Sequence, residues 1–193
     1  MVAELRRQRI DVEDYLKLDR TRDERHEYID GYAQAMSGGT VAHMRIAANM
    51  FMLLDEQLGA QGPCHVYSSD IRVQLSEARY VYPDVTVSCD VADWREKGDI
   101  VRSPRLIVEV LSPTTELYDR GKKFTYYQES ASVQEYVLIG SQRQVVEVFR
   151  RTGEKWTYQR YGPAHTIELE SLDIRIPVSA IYARVRVPVE DAE

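Results

Sequence analysis

Residues 105–112 read RLIVEVLS, an aliphatic run of the kind that fills a strand covered on both faces, with one carboxylate, Glu109, inside it. Side chains alternate along a strand, so Glu109 shares a face with Ile107 and Leu111 while Leu106, Val108 and Val110 take the other. Near-continuous apolar runs mark central strands. A lone buried carboxylate costs several kcal/mol unless it is paired, protonated or bound to a cation. The run therefore demands a sheet with cover on both sides and a partner for Glu109. An ordinary salt bridge or a wet position on an edge strand would also accommodate the residue, but so apolar a setting favours a functional site.

A chain of 193 residues with 44% hydrophobic content suits one core, so a single domain over residues 1–193 is expected. With 31 acidic residues against 25 basic, the net charge of −6 disfavours coating nucleic acid by charge alone and leaves local basic patches possible. Cys64 and Cys89 form neither a metal-ligand spacing nor a disulfide framework, and the opening residues lack the apolar core of a signal peptide. A cytoplasmic location is expected. The longest apolar stretch, MFMLL at residues 50–54, falls far short of the roughly 20 residues needed to cross a bilayer, so no membrane span is predicted.

Asp11 is a predicted N-cap for a short amphipathic helix bearing Val12, Tyr15 and Leu16. HEYIDGYAQA reads as a hairpin turning at Asp30-Gly31. A longer helix starts at its cap Thr40, stripes Val41, Met44, Ala48, Phe51, Leu54 and Leu58 down one predicted core face, and ends at Gly59. The runs CHVYSSDIRVQL, RYVYPDVTVS and RLIVEVLS read as neighbouring strands, the last two separated by a polar insert. A second helix is predicted from about residue 115 to 130, QEYVLIG is a further buried strand, and residues 143–178 alternate as an antiparallel meander. This order predicts an α/β or α+β domain with a central sheet flanked by helices and additional antiparallel strands.

In YVYPDVTVS, alternation sets Asp84, Thr86 and Ser88 on one face, a pattern that usually marks a solvated surface. Two strands that each carry one acid, Asp84 and Glu109, can bring both to a common edge, where a hard cation such as magnesium would take oxygen ligands and water. The predicted helix after Glu109 carries Asp119, Lys123 and Tyr127 at i, i+4 and i+8, one face. Such an acid–lysine pair on a helix surface contributes only about 0.2–0.5 kcal/mol. The short loop SPTTE, however, must fold this helix back over the strand that bears Glu109.

The set YPDVTV, LIVEVLSPTT, DRGKKFTYY and QEYVLI, together with DVEDYL, HEYIDG and MSGGTVAH in the N-terminal half, resembles the Uma-type endonuclease family of the PD-(D/E)XK nuclease superfamily. The resemblance covers nearly the whole chain and implies a restriction-endonuclease-like core, a central mixed sheet flanked by helices, with a divalent-metal site. By position, Asp84 matches the motif aspartate and Glu109 its second acid. The superfamily's lysine, two residues further on, is here Leu111, and the resemblance transfers that role to Lys123, with Lys122 its less favoured neighbour. Glu27 matches a recurring family acid and would complete the metal shell, beside its alternative as a solvated residue at a turn. His43 matches a family position, and neither it nor Asp70 is assigned to catalysis. The family's residues after EY are replaced here by Val137, Gly140 and Ser141.

The expectation is a magnesium- or manganese-dependent endonuclease acting on nucleic acid, DNA before RNA. Asp84, Glu109 and Lys123 are its catalytic group, and Asp84, Glu109 and Glu27 its metal ligands. Homodimerisation is expected from the Tyr and Val content of the C-terminal strands and from two-fold duplex cutting by related nucleases. The alternatives are an inactive nuclease-fold module that binds nucleic acid or protein, and a buried ion-pair network without a ligand.

Overall fold

Asp11 accepts the amide of Asp14 at 2.8 Å and so caps helix α1 (Val12–Thr21), in a computed structural model that describes residues 9–21, 24–36, 38–59, 62–95 and 98–188. The hairpin β1 (His26–Ile29) and β2 (Tyr32–Ala35) turns at Asp30 and Gly31, whose φ values of 50° and 101° are the left-handed geometry that this dipeptide tolerates. Thr40 caps α2 (Val41–Leu58) through the amide of His43 at 3.2 Å, and Gly59, with φ 68°, ends it. Strands β3 (His65–Ser68), β4 (Arg72–Ser76), β5 (Arg79–Val81) and β6 (Val85–Ser88) follow, then the short helix α3 (Val91–Arg95), β7 (Ile100–Val101) and β8 (Pro104–Leu111).

Helix α4 (Glu116–Tyr118) runs through a π-helical turn (Asp119–Lys123) into α5 (Phe124–Glu129). The chain closes with β9 (Glu135–Gly140), β10 (Val146–Thr152), β11 (Lys155–Tyr161), β12 (Thr166–Leu169), β13 (Ile174–Pro177) and α6 (Val178–Ile181).

Two sheets carry the fold, a mixed six-stranded sheet in the order β11-β10-β9-β8-β6-β3 and a five-stranded one in the order β2-β1-β5-β4-β7. Strand β8 is central, parallel to β9 and antiparallel to β6. One face sends Leu106, Val108 and Val110 into a core with Ile46, Met50 and Leu54 of α2 and the inner side chains of β12, β13 and α6. The other sends Ile107 and Leu111 into a second core with Val73 and Val81 of the smaller sheet and Tyr127 of α5. The alternation read from the run RLIVEVL thus appears in space. Tyr15 of α1 packs with Tyr28, Ala33 and Tyr80 on the smaller sheet. No helix among the described residues is long and apolar enough to cross a membrane.

Four expectations are corrected. The runs around β3–β4 and β5–β6 are each split between the two sheets, because the chain turns at residues 69–71 and 82–84; only β3, β6 and β8 are neighbours. Thr86 and Ser88 lie on no solvated face: both are buried, since β6 sits between β3 and β8. The stripe Val41, Met44, Ala48 of α2 faces outward, with Val41 89% and Met44 57% exposed, while Ile46, Met50 and Leu54 face the core. Cys64 and Cys89, expected to be unbridged, form a disulfide with Cα atoms 3.8 Å apart. Antiparallel β3 and β6 pair His65 with Ser88, so the next register pair is Cys64 with Cys89.

Candidate active site

Strand register builds the acidic pair. Val85 of β6 pairs with Val108 of β8, and the same register continued by one residue sets Asp84 opposite Glu109. Asp84 is fixed there by the Val110 amide, which donates to Oδ2 at 2.7 Å, and by Nε2 of His43, 3.3 Å from the same oxygen. Glu27 reaches the site from β1 in the smaller sheet and accepts the Tyr82 amide at 3.3 Å.

The helix after β8 supplies the cation. Lys123 Nζ lies 2.7 Å from Glu109 Oε1, 2.9 Å from Glu27 Oε1 and 4.0 Å from Asp119 Oδ1. Tyr127 Oη donates to Glu109 Oε1 at 2.7 Å, and Tyr136 Oη donates to the Asp119 carbonyl at 3.1 Å. The π-helical turn widens the helix at this point and turns both Asp119 and Lys123 inward, where they are buried. Lys122 faces outward beside the Tyr126 ring, and exposed Asp70 pairs with Arg25 away from the site.

Burial dominates the electrostatics. It pushes the Glu109 carboxyl up to about 8, with Lys123 pulling the other way and Asp119, Asp84 and Glu27 adding repulsion. Burial likewise raises Asp119. It would depress Lys123, but Glu109, Glu27 and Asp119 outweigh it and hold the ammonium charged well above its ordinary range. At His43 burial also favours the neutral ring, and the hydrogen bond and charge of Asp84 outweigh it, so the net shift is upward.

These groups line a cavity of about 430 Å³, walled by Gln34, Met36, Gly38 and Gly39 on one side and by Ser112, Thr114, Thr115 and Tyr118 on the other. Glu27, Asp84, Glu109 and Asp119 confront one lysine there, and this excess of hard oxygen donors fits a divalent cation in chemistry. Among the described residues no three His, Cys, Asp or Glu side chains already stand as a ligand cluster, because the Lys123 ammonium sits between Glu27 and Glu109.

The geometry brings together Asp84, Glu109, Lys123 and Glu27. It adds Tyr127 and Asp119 as direct partners, which the i, i+4, i+8 spacing around Lys123 signalled, and His43 beside Asp84. Tyr82 contributes a backbone amide that no sequence signal marks.

A central mixed sheet with this acid pair and lysine defines a restriction-endonuclease-like fold. The crystal structure of "a putative nuclease belonging to DUF820 from Anabaena variabilis" shares it at TM-score 0.76 and 18% identity, over 90% of this chain and 98% of that one. The chain belongs to the Uma2 family, whose model carries the description "Putative restriction endonuclease" and matches residues 12–179. Among similar proteins, "Uncharacterized protein slr1290" of Synechocystis sp. is 34% identical over 176 residues, 90% of this chain and 92% of the relative. "Uncharacterized protein sll1609" of the same organism is 30% identical over 144 residues, 74% of this chain and 81% of its own.

Proposed function

We propose that the protein is a metal-dependent endonuclease that hydrolyses DNA phosphodiester bonds, a single domain with its site between the two sheets. The observation that carries this reading is the Lys123 ammonium 2.7 Å from Glu109, with Asp84 opposite Glu109 in register. Asp84 and Glu109 would hold magnesium or manganese, with Glu27 as the third acid within reach. When bound, the ion supplies Lewis acidity toward a phosphoryl oxygen and a more acidic bound water. Lys123 orients the attacking water or offsets charge on the phosphorus centre, and Tyr127 and Glu27 hold the groups that flank it. The cavity excludes bulk water from Glu109 and Lys123, which strengthens each of these contacts.

The test is incubation of plasmid DNA, linear duplex, single strands and RNA with the protein and magnesium or manganese. Cleavage that disappears in Glu109→Gln supports the reading. Absence of cleavage of every substrate, with metal bound, favours the binding module.

The same reading includes two chains acting on the two strands of a duplex. The outward stripe of α2, Val41, Met44, Ala48 and Met52 at i, i+3, i+7 and i+11, is an apolar face that a second copy would cover. Exposed Arg45 and Glu56 share one flank of that stripe, so antiparallel packing sets each Arg45 beside the partner's Glu56, the self-complementarity that two-fold symmetry requires. A cytoplasmic place, with the substrate, goes with this reading. There the Cys64–Cys89 bridge would meet a reducing poise, and a thiol count on protein taken directly from cells tells whether it persists.

A further inference from the structure

Lys123 serves Glu109, Glu27 and Asp119, whereas Asp84 is met by His43 and by the Val110 amide. His43 Nε2 stands 3.3 Å from Asp84 Oδ2, the oxygen that also accepts the Val110 amide at 2.7 Å, and the ring is hydrogen-bonded to the Val110 backbone as well. The three groups close a small ring that joins the first turn of α2, the segment ahead of β6 and the end of β8.

The histidine is held there at a cost. Its Nδ1 is buried with no hydrogen-bond partner, a condition that costs about 1–3 kcal/mol for a polar atom. Gly39 lies so close that a Cβ on it would come within 2.6 Å of that nitrogen. Packing alone would be served better by an apolar ring. With Nδ1 unpaired, the proton belongs on Nε2, where it faces the carboxylate.

We propose that His43 is a positioning residue: its Nε2–H locks Asp84 in the orientation opposite Glu109, so that the acidic pair is pre-assembled for a cation. The proposal rests on the reading of Asp84 and Glu109 as the ion-binding pair. Side chains that orient a ligand from behind typically govern about 10–100-fold of metal affinity.

The test is calorimetric titration of manganese into metal-free protein, which needs no turnover. His43→Phe keeps the ring and loses the donor, and His43→Gln keeps a donor at nearly the same reach. The parent and His43→Phe are also compared in an Asp84→Asn background. Expected are about 10-fold or more weaker manganese binding in His43→Phe, recovery to within about 3-fold in His43→Gln, and no further loss from His43→Phe once Asp84 is Asn. Thermal midpoints verify folding, and if His43→Phe does not fold, His43→Asn, too short to reach Asp84, replaces it. Parent-like manganese affinity in the variant that lacks the donor overturns the proposal, as does equal loss in Phe and Gln or an undiminished effect in the Asp84→Asn background. A parent that takes up no manganese overturns the ion-binding reading and the proposal together. A parent that binds manganese through Asp84 but ignores His43 overturns the proposal alone.

Discussion

Neighbouring parallel strands each bury one carboxylate, Glu109 on β8 and Glu135 on β9, and the two are treated in opposite ways. Glu135 is saturated by fixed donors: Arg150 Nε at 2.9 Å, the Glu170 and Ser171 amides at 3.1 Å each, and Ser171 Oγ at 2.6 Å. Those donors come from β10 and from the turn between β12 and β13, so Glu135 ties the outer hairpin to the large sheet. Glu109 instead receives Lys123 and Tyr127 on one oxygen, has three other acids nearby, and borders a cavity. A buried acid that the fold completes is a fastener. One that the fold leaves electrostatically uncomfortable is available for chemistry.

The strongest way to sharpen this contrast is Lys123→Met, which is expected to cut phosphodiester hydrolysis by about 10²- to 10⁴-fold while manganese still binds, the range for a positioned catalytic group. Lys122→Met should leave turnover near the parent value. Full activity in Lys123→Met would remove the lysine from the reaction, and a lysine returned to the strand in Leu111→Lys with Lys123→Met should restore part of the rate.

Next in size is Glu135→Ala, which leaves Arg150 and the turn amides without their acceptor and should cost about 3–5 kcal/mol of stability by denaturant unfolding. Glu109→Gln should leave the fold intact or stabilise it. If the two substitutions prove equally destabilising, the contrast fails.

A smaller effect depends on pH. The folded state holds the Glu109 proton up to about 8 against an ordinary 4.5, so it binds that proton more tightly than the unfolded chain does. The contribution of Glu109 to stability is therefore fully present below about pH 4.5 and is lost as pH rises toward about 8. In metal-free protein the stability of Glu109→Gln relative to the parent should grow across that window and level off above it. A pH-independent difference between the two unfolding curves would show that the carboxyl titrates as an exposed one does.

The smallest effect concerns α2. Met52→Glu should lower the dimer fraction in sedimentation at micromolar protein without touching single-strand cleavage. A parent that sediments as a monomer at every concentration would leave the outward stripe without the proposed occupant.

The sequence made β8 legible because alternation is a local property: Leu106, Val108 and Val110 against Ile107, Glu109 and Leu111 came out on the faces expected. The lysine was within reach for a related reason, since a short loop leaves a helix few places to go. What alternation and periodicity do not encode is which face turns inward. Helix α2 carries two apolar stripes, Val41-Met44-Ala48 and Ile46-Met50-Leu54, and only the sheet beneath selects between them. The division into two sheets, the Cys64–Cys89 bridge and the approach of Glu27 from β1 all depend on pairings between distant segments, so no short window displays them.

The π-helical turn at Asp119–Lys123 makes the helix that contains it one beat out of step with itself. Lys123 ends the widened turn, Tyr127 stands in the regular helix beyond it, and both touch the same oxygen of Glu109. Gly121 lies inside the turn with open space beside it. Its removal would let the helix close to ordinary pitch and shift everything on one side by about 100°, the angle between successive residues at 3.6 per turn. Either the ammonium or the phenol could then keep its place, but not both. The extra residue acts as a phase shifter that lets one helix answer to two clocks, and the length of this segment is thereby as constrained as the identity of its lysine.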